Sequence, residues 1–382
     1  MQGSPERRAR WSSLGRGFRQ RNPLVLAAAA LLALGALLVF QSALVHGGIT
    51  LISEGRLLRI TNDDYLHVAY RVAELKKEPS QQRTIYLFGG SGTMECFVDQ
   101  ESLGAQVSAA SGQDVRVVSL AAHRQSIAMS LALADNLPEG PALLAIGLAP
   151  IRMTTDPKAD AGLLSGRPLL VHSPRLESLA QRFYGQGPAA LGTIPGFFDY
   201  LGSYVQARDG EAGRPELGDS LAYAEHYYPP GTKGHLPLGK RRNVLHVLEE
   251  DVRLYRLYSA YNIAMLEEIL KLARDRGFAV ALYDQPLNTS AAGPDWAGVV
   301  PAYREACRRL AREYGVSYLH IERAVKLEDA DFADLFHLLA PGRAKWQPEM
   351  ARQLAAALRS LSDPLALRSG VQPPAAPLRL AD

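Results

Sequence analysis

Two short patterns hold the residues of this chain that could do nucleophilic chemistry. One is a serine set among glycines, Gly89-Gly90-Ser91-Gly92-Thr93; the other is Asp334 and His337, three apart in DLFHL. A serine hydroxyl is a poor nucleophile until a base takes its proton, and a carboxylate can orient that base. Gly90 and Gly92 let the backbone turn tightly beside Ser91 and approach a substrate closely. A helix beginning there would offer free N–H groups and the positive end of its dipole to a developing oxyanion. Each pattern also has an ordinary reading. GGSGT can be a plain glycine turn or a phosphate cradle, although no Gly-Lys-Ser/Thr follows to make a Walker motif. Asp-x-x-His arises often by chance, as a helix cap beside a surface histidine. What raises the pair is their order, with the serine after the first apolar run and Asp-x-x-His after the last.

Those runs are the elements that must position them. Thr84–Phe88, Val115–Leu120, Ala142–Ile146, Ala279–Tyr283 and Val316–His320 are short, continuous and apolar, as buried parallel strands are. Between and after them, residues 262–276, 301–313 and 343–360 repeat apolar positions at helical spacing, and Gly277 stands where a helix stop belongs. Strands alternating with helices predict an α/β fold around a parallel sheet, with sites at its carboxyl edge. About 130 residues separate the third and fourth runs, so a large insertion is expected over about 153–250. His226 and His235 lie in it, with surface loop positions the blander reading and substrate contact the sharper one. Asp284, after the fourth run, could bind substrate or mark a polar turn. The proline-rich end, 362–382, reads as a disordered tail.

Leu24 to Val45 contains no charged residue, long enough to cross a hydrocarbon core roughly 30 Å thick. The formal charge of +3 is uneven: six arginines against Glu6 give residues 1–22 a charge of +5, leaving −2 on the rest. The expectation is a basic cytoplasmic tail (1–22), a single anchor (23–46) in the bacterial inner membrane, a stalk or covering helix (47–82) and an extracytoplasmic domain (83–361). A cleaved signal peptide competes, but QSALVHG is a poor cleavage site. With its basic excess confined to the tail, the domain has no electrostatic reason to bind nucleic acid. At 47% hydrophobic and 21% charged residues the chain is neither disordered nor collagenous, and two cysteines exclude a disulfide scaffold. Cys96 and Cys307 could pair in an oxidising compartment or be two small buried hydrophobes. No cluster has metal-ligand spacing, so neither metal nor cofactor is expected.

With FGGSGT and ADFADLFHLLAPGRAKW in view, the chain resembles the SGNH (GDSL-like) hydrolase superfamily, over roughly 84–150 and 262–360. The likeness is greatest to its membrane-anchored bacterial branch, which includes the teichoic acid D-alanyl transfer protein and alginate-type O-acetylation proteins. The resemblance implies a three-layer flavodoxin-like SGNH fold of about five parallel strands. It implies Ser91 as nucleophile, His337 as general base and acid, and Asp334 as the orienting carboxylate. An unperturbed imidazole would place the acid limb of Ser91 modification near pH 6.5. Gly90, Gly92, Ala121 and Gly147 fall at oxyanion or substrate-binding positions. The chain departs from the family pattern at two places: Ala121 stands where a glycine is usual, and IGLAPIRM lacks the usual asparagine, for which Arg152 or His123 could substitute. The implied activity is serine acyl transfer or ester hydrolysis on O-acetyl or similar groups of a cell-surface or exported polysaccharide. A membrane-bound O-acyltransferase is the implied partner. The alternative from another class is a non-catalytic scaffold that keeps the fold.

Overall fold

The computed structural model describes residues 23–45, 64–160, 173–184, 238–288, 296 and 298–360. The basic tail, most of the expected insertion with His226 and His235, and the segment 362–382 lie outside the described residues.

Helix α1 (Pro23–Val45) is 23 residues long, uncharged and apolar apart from Gln41 and Ser42, with almost no difference between its faces, and none of its membrane-length stretch is buried against the rest of the chain. By length and composition it can cross a membrane. The remaining elements build one sheet. In chain order they are α2 (Asp64–Lys77), β1 (Arg83–Phe88), the single turn α3 (Ser91–Met94), α4 (Gln100–Ser111), β2 (Val115–Ser119), α5 (Ile127–Asp135) and β3 (Ala142–Leu148). After a 3-10 turn at Pro150–Met153 come α6 (Pro174–Tyr184), α7 (Leu238–Asp275), β4 (Ala279–Asp284), α8 (Val299–Tyr314), β5 (Ser317–Leu319), α9 (Ile321–Ala324) and α10 (Ala340–Ser360).

The five strands are all parallel in the order β2-β1-β3-β4-β5. Strand side chains alternate faces, and the two faces carry separate cores. Ile85, Leu87, Leu143, Ala145 and Ala281 pack with Leu103 and Val107 of α4 and with Trp346, Met350 and Leu354 of α10. Tyr86, Phe88, Leu144, Ile146, Val280 and Leu282 face α2, α5, α7 and α8 on the other side. The α8 stripe is legible residue by residue: Val299, Tyr303, Cys307, Leu310 and Ala311 recur every three or four positions and are buried. Cys96 belongs to the first core and Cys307 to the second, so the sheet separates them; both are free thiols and the disulfide is excluded.

Two elements differ from the sequence reading. The helix anticipated at 262–276 is the latter part of the 38-residue α7, which reaches back to Leu238. The helix anticipated after Ser91 is one turn, and Cys96 lies beyond it.

That turn is held down by a close approach. Register pairs Phe88 with Ile146 and Gly147 with Tyr283, so β1, β3 and β4 end together at the carboxyl edge. Thr93 Oγ1 from α3 settles onto this edge between Gly89 and Gly147, where it accepts a hydrogen bond from Gln285 Nε2 at 2.7 Å. A Cβ on Gly147 would stand 2.1 Å from Thr93 Oγ1 and 2.8 Å from Tyr283 Oη. Gly147→Ala should therefore lift α3 off the edge and cost about 1–3 kcal/mol of stability. Chemical denaturation checks this, and an unchanged midpoint would contradict it.

Candidate active site

At the carboxyl edge the structure brings Ser91, His337 and Asp334 into one line. Ser91 Oγ lies 2.8 Å from His337 Nε2, and His337 Nδ1 lies 2.6 Å from Asp334 Oδ2. The separation of 246 positions between serine and histidine is closed by the sheet, with β1 presenting one end and the segment before α10 the other.

The Asp-x-x-His segment is a tight loop, and here the helix-cap reading fails. A bridge between Phe332 and Leu338 closes its neck, reinforced by Ala333 N–H to His337 O at 2.8 Å and Leu339 N–H to Asp331 O at 2.8 Å. Within it Asp334 uses both oxygens. Oδ1 accepts the N–H groups of Phe336 and His337 at 2.9 and 3.0 Å, leaving Oδ2 to face the imidazole. Asp331 anchors the neck to α10 by accepting from Lys345 Nζ at 2.8 Å, and Asn288 N–H donates to Leu335 O at 2.9 Å from the segment after β4. His337 and Asp334 keep only 13% and 16% of their side-chain surface exposed, so the line is mostly shielded from solvent.

On the serine side a polar brace fixes the loops after β1 and β2 against each other. Leu120 and Ala122 donate to Leu87 O and Gly89 O, extending the β1–β2 pairing past the strands. The buried Gln125 accepts from Gly89 N–H at 3.1 Å and donates to Leu120 O at 2.7 Å. Behind it, the buried Arg152 donates to Gly147 O, the carbonyls of Gln125 and Ser126, and Ser130 Oγ. Arg152 is thus a brace, which removes it as a replacement for the absent asparagine. Gln285 is committed as well, to Thr93 Oγ1 and to Gly147 O.

Backbone donors remain. The N–H groups of Thr93 and Met94 both turn back to Gly90 O, whereas those of Ser91 and Gly92 have no acceptor among the described residues, as the first turn of a helix requires. Ala121 N–H is equally unengaged between its two paired neighbours. With α3 only one turn long, the individual N–H groups matter more than any helix dipole. Gly90 supplies the N-cap and the acceptor carbonyl, and Gly92 gives room for Gln285, whose Oε1 would lie 2.9 Å from a Cβ there. Gly147 serves by its smallness and through its carbonyl, which two side chains occupy. His123 lies half-buried after β2. Asp284 is a structural knot: it accepts from Tyr303 Oη, Tyr318 Oη and Arg304 Nε and is buried.

The sequence reading missed Glu95. It is 2% exposed, and its Oε1 lies 3.9 Å from His337 Nε2. The available signal was its position four residues after Ser91, which puts both on one side of a helical turn. Burial pushes the Glu95 carboxyl up to about 7, opposed in part by the charge of His337. For His337 burial alone would lower the value, but the carboxylates of Glu95 and Asp334 outweigh it and hold the ring well above its ordinary 6.5. Asp334 stays ionised because the His337 charge and the hydrogen bonds from His337 and Phe336 overcome its burial.

A base must be neutral to accept a proton, and raising its pKa moves the neutral form to higher pH. Any modification of Ser91 that depends on His337 should therefore rise with pH along a limb centred above 6.5, correcting the unperturbed expectation. Each pH unit below that centre should cost about tenfold in rate. Rates of serine modification measured against pH check this, and a profile already flat at pH 6.5 would contradict it.

No family model matches this chain, and no curated protein matches it either.

Proposed function

We propose that this chain is a membrane-anchored serine acyltransferase or esterase of the SGNH (GDSL-like) type, with Ser91 as nucleophile, His337 as general base and acid, and Asp334 as the orienting carboxylate. The observation that carries the reading is the continuous line from Ser91 Oγ through both imidazole nitrogens to Asp334, at 2.8 and 2.6 Å. The strand order, the site at the carboxyl edge and the Ser-first, Asp-x-x-His-last arrangement support the family assignment.

The chemistry follows from these positions. Asp334 holds a proton on Nδ1, so neutral His337 presents the lone pair of Nε2 to Ser91. As the Ser91 hydroxyl proton transfers to Nε2, Oγ bonds to the acyl carbon and the carbonyl oxygen becomes an oxyanion. The unengaged N–H groups of Ser91, Gly92 and Ala121 are the donors at hand to stabilise it. Collapse breaks the bond to the leaving alcohol, which takes the proton from His337 and leaves Ser91 acylated. An incoming hydroxyl then gives its proton to His337 and attacks the acyl carbon; collapse breaks the bond to Oγ, and His337 returns the proton to Ser91. A sugar hydroxyl makes the cycle a transfer, and water makes it hydrolysis.

The substrate class we assign is an acylated cell-surface or exported polysaccharide, with O-acetyl or similar groups. Its support is the apolar helix α1 and the arginines before it, which favour an extracytoplasmic domain on a single-pass inner-membrane anchor. A membrane-bound O-acyltransferase would be a fitting donor partner. One observation favours a slow enzyme or a non-catalytic scaffold: among the described residues, the Gln285 amide and the Arg152 guanidinium are both committed elsewhere and do not replace the absent asparagine. Loss of one oxyanion donor costs roughly 10²–10³ in rate.

Covalent labelling separates these readings because it needs no turnover. In intact cells, a membrane-impermeant fluorophosphonate should modify Ser91 of the full chain. His337→Ala should nearly abolish the adduct and Asp334→Asn should slow it by at least about tenfold, with Ser91→Ala as the blank. An unmodified Ser91 in folded protein would remove the catalytic reading. Labelling only after cell lysis would overturn the orientation.

A further inference from the structure

Glu95 is the ionisable group of the site that the triad leaves unused. A buried carboxylate is expensive unless a cation or donors meet it. Among the described residues, its ion-pair contact is with His337, at the nitrogen that faces Ser91: Nε2 lies 2.8 Å from Ser91 Oγ and 3.9 Å from Glu95 Oε1. The α3 turn fixes this arrangement. Glu95 N–H donates to Ser91 O at 2.9 Å, making Glu95 the cap of the turn that Ser91 begins. Serine and glutamate are thus delivered to one imidazole nitrogen by one turn of backbone.

The other groups around the pair do not replace this coupling. Asp334 faces Nδ1, on the far side of the ring. Arg343, from α10, lies near enough to favour the ionised carboxyl and spends a donor on Leu338 O. Cys96 is buried with its thiol pushed up to about 12, so it is uncharged at neutral pH.

We propose that Glu95 is a positioning residue whose carboxylate, 3.9 Å from Nε2, favours the protonated His337 ring and thereby sets the pH above which Ser91 is activated. The proposal rests on the catalytic reading of Ser91. With one proton on the pair, the charge-separated form holds it on Nε2, and Ser91 keeps its own O–H bond. When that proton leaves to bulk water, Nε2 is free and the Ser91 proton can move onto it as Oγ attacks. The ionised Glu95 then favours the imidazolium that forms. One carboxylate accordingly holds the resting site inactive at lower pH and supports the transferred proton at higher pH.

Glu95→Gln keeps the shape and removes the charge that raises His337, so the imidazole should deprotonate at lower pH. Two readouts on the full chain in detergent test this: the pH profile of Ser91 labelling by a fluorophosphonate, and NMR titration of the His337 ring in a Ser91→Ala background. Both midpoints should fall by about one pH unit or more in Glu95→Gln, equivalent to roughly tenfold faster labelling on the acid limb. Glu95→Asp, which retains a carboxylate, should move them back toward the native values. If Glu95→Gln fails to fold, Glu95→Met should give the same fall. Unmoved midpoints, whatever the labelling rate, would overturn the proposal, because a purely structural Glu95 alters rates without moving the titration. Absence of labelling at every pH in the native chain would instead remove the serine reading; the ring titration still decides whether Glu95 and His337 are coupled.

Discussion

The 2.6 Å contact between Asp334 and His337 decides which imidazole nitrogen is available to Ser91, and the surrounding architecture exists to keep that contact aligned with the first strand. An imidazole left free to rotate or to change tautomer would present the wrong nitrogen for much of the time. Here the carboxylate is itself immobilised, because its second oxygen accepts two backbone N–H groups of its own loop. The loop is closed at its neck and tied to α10 through Asp331 and Lys345, and α10 buries Trp346, Met350 and Leu354 against the sheet. Packing of one helix against one sheet face is thereby converted into the direction of one nitrogen lone pair.

Charge is concentrated in a small, mostly shielded volume. Two carboxylates flank one ring, and their joint effect exceeds the burial that would otherwise discharge it. The opposite side of the site contains Arg152, which among the described residues donates to carbonyls and a hydroxyl and whose basicity burial lowers to about 10. That guanidinium organises loop backbone instead of pairing with an acid. The division is physically sensible, because a carboxylate near Arg152 would compete for the donors that fix the loops after β2 and β3. The serine side is accordingly braced by a cation that donates to neutral acceptors, and the histidine side by carboxylates around the ring.

Much of this was readable in the sequence, for reasons that differ by element. Buried parallel strands are continuous apolar runs, so TIYLF, VRVVS and AVALY were recognisable, and the uncharged stretch of α1 was legible as a helix long and apolar enough to cross a membrane. Ser91, Asp334 and His337 were recognisable because they follow the first and last strands of that pattern. Glu95 was not, because a glutamate just past a turn is ordinarily exposed, and only the tertiary placement of His337 reveals otherwise. Arg152 suggested an oxyanion donor in the sequence and proved to be a brace, since its acceptors at Gln125, Ser126 and Gly147 are brought together only by folding. Asp284 likewise marked the correct edge while its three partners, Tyr303, Tyr318 and Arg304, come from the following helix and strand.

The central claim is that Asp334 acts on Ser91 through His337 and in no other way. A double-mutant cycle on the rate of serine phosphonylation tests this most directly. Asp334→Asn should slow the native chain by at least about tenfold, yet change the residual rate of His337→Ala by less than about twofold, because residues that act as a unit are non-additive. Equal losses in both backgrounds would mean that Asp334 serves only to hold its loop, and the relay from carboxylate to serine would have to be abandoned.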